Sequence, residues 1–151
     1  MKTTNTRFGS RRGNAILEFG LSSLVLIPLM LGTFQFGYTF LQYNNLQNAV
    51  ARGARYASLV PYDSPNTTPS AAFNTAVQNM VLYGTPTAGA TPVLPGLGTG
   101  NVSLTVTFTN GIPTLMTVAI TGYTIDSIFA KSALNNKPQV AYAYQGIWSP
   151  I

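Results

Sequence analysis

The stretch RRGNAILEFGLSSLVLIPLMLGTFQFGYTFLQ, residues 11–42, decides the architecture. From Phe19 to Leu41 it holds 23 residues without a charge, with Gln35 the single strongly polar one. A membrane-crossing helix needs about 20 such residues. Lys2, Arg7, Arg11 and Arg12 precede Gly13, and the next charge after Glu18 is Arg52. Basic residues before an apolar helix and none directly after it predict a cytoplasmic N-terminus with the remainder outside. The apolar run exceeds the roughly 7–15 residues of a secretory h-region and no A-x-A-like cut site follows it, which argues against a cleaved secretory signal.

Glu18 needs a reason, because a carboxylate at the margin of a membrane segment is costly. It lies five residues after Gly13. If the chain is cut after Gly13, Asn14 becomes a free amine at the helix start, and Glu18 falls four residues along on the same face. The helix dipole favours a carboxylate near an N-terminus, and in an assembly Glu18 can face the amine of a neighbouring subunit. In a plain anchor Glu18 only snorkels into the headgroup layer.

Beyond the apolar run, Leu46, Ala49, Val50, Gly53, Ala54 and Ala57 recur at i, i+3, i+4, i+7, i+8 and i+11. This is the stripe of an amphipathic helix. No breaker separates it from the membrane segment, so one helix is predicted from about Ala15 to Ser58, kinked at Pro28 and stopped before Pro61. The small stripe residues predict packing under the chain's own C-terminal domain, with packing against other helices as the alternative.

The stretch from Arg11 to Leu59 resembles the TadE-like family of pseudopilins. The resemblance rests on Arg-Gly before the apolar run, Glu18-Phe19, Pro28, Phe36-Gly37 and the run Ala51-Arg52-Gly53-Ala54-Arg55-Tyr56-Ala57. Asn14 departs from it, standing where a small apolar residue is expected. The resemblance covers a third of the chain. It implies a minor component of a tight-adherence (Tad, or Flp) type IV pilus machine, cut by a prepilin peptidase between Gly13 and Asn14, and partnered by other pilins or pseudopilins.

The remaining residues read as a small α+β domain. Val60–Ser70 is a proline-bearing loop, and Ser70 caps a helix carrying Phe73, Ala76, Val77, Met80 and Val81 that ends at Gly84. Residues 84–101 read as a long loop without the Lys-Ser/Thr of a phosphate-binding loop. Val102, Leu104, Val106 and Phe108 alternate with polar residues as a strand. Asn110-Gly111 turns it, through a connection of four or five residues, into a strand with Met116, Val118 and Ile120. Asp126 caps a predicted helical turn over Ser127–Ser132, and Val140, Tyr142 and Tyr144 mark a third strand. The fold class is thus α+β: a long membrane-spanning helix, pilin-like in its order, then a short helix and an antiparallel sheet of about three strands. The parts are a basic leader (1–13), a long helix (14–59, spanning at 19–41) and an extracytoplasmic domain (60–151).

Composition narrows the function. The 151 residues carry 7% charge, against about 25% in ordinary soluble domains. From Asn14 onward four basic residues meet three acidic ones, a balance of +1, so the folded part has no basic patch for nucleic acid. Cysteine and histidine are both absent, which removes thiolate metal sites and the commonest ligand and general base. No cofactor, small-molecule substrate or enzymatic activity is expected. The expected role is structural, by helix packing and assembly from the inner membrane. The alternative is a single-pass anchored protein that does not enter a filament.

Overall fold

The computed structural model describes residues 10–127 and 129–148. Most of the predicted leader lies outside the described residues. Six elements follow one another: α1 (Ser10–Leu59), α2 (Ala71–Tyr83), a 3-10 turn (Thr99–Asn101), β1 (Val102–Thr109), β2 (Ile112–Asp126) and β3 (Lys131–Ala143). The chain forms two compact units, one ending at Gly37 and one beginning at Tyr38.

In the first unit, α1 is apolar on every side. Ile16, Leu17, Phe19, Leu24, Met30 and Phe36 are all exposed. The helix is long and apolar enough to cross a membrane, with a mean hydropathy of 1.9 in its most apolar window and none of that window buried. A helix that is hydrophobic all round belongs in lipid or inside a larger assembly. Pro28 lies inside α1 and offers no N–H to the preceding turn.

The second unit is built on the outer turns of α1. Leu46, Ala49, Val50, Ala54 and Ala57 are fully buried and share one core with α2 and the sheet. Gly53 is buried among them. A Cβ at Gly53 would overlap Val81 Cγ2 on α2 and stand 3.5 Å from the Val77 carbonyl. The absence of a side chain there sets how closely the two helices approach. Both ends of α2 are capped as the sequence predicts: Ser70 Oγ accepts the Phe73 N–H at 3.1 Å, and Gly84, at φ 76°, donates its N–H to the Met80 carbonyl.

The sheet is antiparallel in the order β1-β2-β3. Two expectations are corrected. The β1–β2 connection has two residues, not four or five: Thr109 pairs with Ile112 across Asn110 and Gly111, whose φ values are 53° and 77°. Positive φ at both positions is the turn that matches strand twist. The irregularity sits further in, where the register shifts after Thr107 and Thr114 Oγ1 donates to the Thr107 carbonyl. The second correction concerns residues 127–132. Among the described residues there no helical turn occurs: Ser127 donates its N–H to the Ala130 carbonyl, and Asp126 pairs with Lys131 at the start of β3. β3 thus begins well before Val140 and ends just short of Tyr144.

The segments read as loops contribute to the core. Leu94 and Leu97 are buried. Asn101 Nδ2 donates to the Thr121 and Gly122 carbonyls, both at 3.1 Å, where β2 is irregular. Tyr62, in the proline-bearing segment, is fully buried and packs edge-on against Phe73, Phe108 and Tyr144, with centroids 5.3, 5.9 and 6.5 Å away. Its hydroxyl donates to the Asn66 carbonyl at 2.7 Å. The Tyr144 hydroxyl accepts the Tyr62 N–H at 2.7 Å and lies 2.8 and 3.2 Å from the Ile147 and Val60 carbonyls. Trp148 Nε1 donates to the Ser64 carbonyl. These bonds tie residues 144–148 to the loop after α1, and Gln145 donates its N–H to the Ser58 carbonyl at the end of that helix.

Two outcomes follow. Gly53→Val should lower the stability of the detergent-solubilised chain by about 1–3 kcal/mol, the usual cost of overpacking; an unchanged melting temperature would mean α1 and α2 are not in tight contact. Burial raises the phenol pKa of Tyr62, Tyr123 and Tyr144 above 10.0. With the folded value raised, the unfolded chain loses its protons first, so the stabilisation is complete below pH 10 and is lost as pH rises through the folded values. Melting temperature should therefore hold up to about pH 9 and fall beyond pH 10, as read by near-UV circular dichroism; a flat profile through pH 11 would contradict the burial of these phenols.

Candidate functional site

No group of three or more His, Cys, Asp or Glu side chains able to hold a metal occurs among the described residues. The candidate site is instead the start of α1. Gly13, Asn14 and Glu18 lie in this helix, and all three are exposed. Asn14 and Glu18, four apart, share a face. Residues 13–22 are exposed throughout, as is most of the helix up to Gly37. The segment thus offers a peptide bond at Gly13, one carboxylate and an uncovered apolar surface.

The stripe Leu46, Ala49, Val50, Gly53, Ala54 and Ala57 is placed differently. It lies inside the second unit's own core and presents no surface to a further helix. On the flank of the same helix, Arg52 and Arg55 are exposed. With Asn45, Asn48 and Tyr142 they line an open groove of about 440 Å³. Neither arginine is ion-paired among the described residues, where the recorded salt bridge is Lys131–Asp126 at 3.2 Å, both side chains largely exposed. Exposed pairs of this kind contribute little.

Sequence reasoning missed Tyr62, Tyr144 and Trp148 as a clasp. The available signal was three large aromatic residues in segments otherwise rich in proline and polar residues.

No curated protein and no solved structure matches this chain. The sequence model of the family described as TadE-like protein matches residues 13–55. The match begins at Gly13, takes in Glu18 and Pro28, and ends at Arg55, within the last turns of α1. Over that segment, the one that carries the candidate site, the chain is similar to TadE-like proteins.

Proposed function

We propose that this chain is a minor pseudopilin or accessory subunit of a Tad-type type IV pilus or secretion machine. It works by helix packing and assembly and carries out no catalysis. The TadE-like match over residues 13–55 carries this reading. A prepilin peptidase cuts between Gly13 and Asn14 while the basic leader is cytoplasmic and the C-terminal domain lies outside the inner membrane. Other pilins or pseudopilins then pack against the apolar surface of α1 up to Gly37, with Glu18 facing the new amine of a neighbour.

One observation bears on the alternative, an anchored protein that stays out of the filament. The small-residue stripe is consumed by the chain's own core. Association with other subunits must then use the apolar segment, where side chains are exposed. A protein with no such partners would leave Glu18 with no role beyond snorkelling.

Glu18→Gln separates the two. Both readings allow insertion. In the pilus reading the variant is still processed to an Asn14 terminus, seen by intact mass, but loses co-purification with other pilus subunits. Leaving a buried charge unpaired costs about 3–5 kcal/mol, a hundredfold or more in association. Unchanged co-purification of a fully processed variant would remove Glu18 from assembly. A wild-type chain that retains its leader would remove the pseudopilin reading itself.

A further inference from the structure

Ser127, just past the end of β2, lies beside Thr39 on α1, near the close of the apolar stretch. Thr39 Oγ1 donates to Ser127 Oγ at 3.0 Å. This contact lies within the second unit and holds Ser127 level with the helix at Thr39. Leu41, two residues on, closes the apolar run and is about 3 Å further along the helix axis.

The side chains gathered at this level are unusual for a hairpin in water. Phe129 is 62% exposed, and Phe40 and Leu41 on the helix are 57% and 58% exposed. Lys131 and Asp126 flank Phe129 with their charged ends in solvent. An exposed aromatic ring next to a long basic side chain, at the edge of a membrane-spanning segment, is the composition of a membrane–water interface. Rings settle at headgroup level there, and a lysine reaches the phosphates.

We propose that Phe129 and Lys131, where the chain enters β3, form a second membrane contact. Phe129 enters the boundary between headgroups and acyl chains, and Lys131 lies among the lipid phosphates. The argument rests on reading residues 19–41 as the membrane span, since that reading fixes the depth of Thr39. The rest comes from the Thr39–Ser127 hydrogen bond and the exposure of Phe129. The contact would give the domain a second attachment besides the helix itself, limiting its rotation about the helix axis.

The chain has no cysteine, so single spin labels can be placed without background. Phe129→Cys, Asn110→Cys and Leu31→Cys are each labelled in the full chain, reconstituted in vesicles of phosphatidylethanolamine and phosphatidylglycerol. Accessibility to oxygen and to a water-soluble nickel chelate gives depth. β2 is 15 residues long, so Asn110, beyond its far end, lies roughly 45 Å from the strand's other end at strand rise. The label at residue 31 should report the acyl interior, the label at 129 the headgroup–acyl boundary, and the label at 110 water. A label at 129 as accessible to nickel as that at 110, with 31 embedded, would overturn the hairpin contact and leave the span standing. A label at 31 in water would overturn the span and the hairpin contact with it. Phe129→Trp gives an independent reading. Its added emission should be largely lost in vesicles of brominated lipid, while the wild-type emission from Trp148 persists; equal persistence of both would overturn the proposal.

Discussion

Leu46 to Ala57 on α1 is the surface on which the rest of the folded domain is laid. A residue run of about 90 beyond the helix can bury only a marginal core by itself. Here the shortfall is met by the helix that also anchors the chain. Its small residues matter as much as its apolar ones. Ala49, Gly53, Ala54 and Ala57 bring the backbone of α1 close to its neighbours, and at Gly53 there is no room for even a methyl group beside Val81. The domain therefore cannot lose the outer turns of α1 without losing part of its core.

This arrangement divides one helix between two environments. Up to Gly37 its apolar side chains face outward all round, as lipid or neighbouring helices require. Beyond Tyr38 one stripe is covered by the chain itself while Arg52 and Arg55 keep the opposite flank polar. Small residues often signal helix–helix pairing in membranes. In this chain the small-residue stripe serves internal packing, and the uncovered apolar surface lies on the segment around Glu18. The TadE-like match spans both environments, from Gly13 to Arg55.

The legible parts of the fold were those with a strong period or a definite cap. The stripe from Leu46 to Ala57, the Ser70 and Gly84 caps, and the alternation from Val102 to Phe108 each have one physical reading. β3 was harder because Lys131 to Lys137 is almost wholly exposed, so no apolar alternation marks it. The turn at Asn110-Gly111 was located but given too many residues. The bulge around Thr114 displaces the apolar pattern of β2 and mimics a longer loop. Tyr62 and Trp148 were illegible for a different reason: an isolated aromatic residue in a loop has no period, and only the return of residues 144–148 brings the two together. At the candidate site, the order Gly13, Asn14, Glu18 was readable because it depends on spacing along one helix. The fate of the stripe was not, because the same small residues suit either a domain or a neighbouring helix.

The dependence of the domain on α1 can be measured directly by comparing two fragments. Residues 38–151 retain the outer turns of the helix, and residues 60–151 lack them. Thermal unfolding followed by near-UV circular dichroism should show a cooperative transition for 38–151 and none for 60–151, whose strands and α2 would lack the face they pack on. A cooperative transition of equal stability in both fragments would contradict the shared core and make the helix a mere tether.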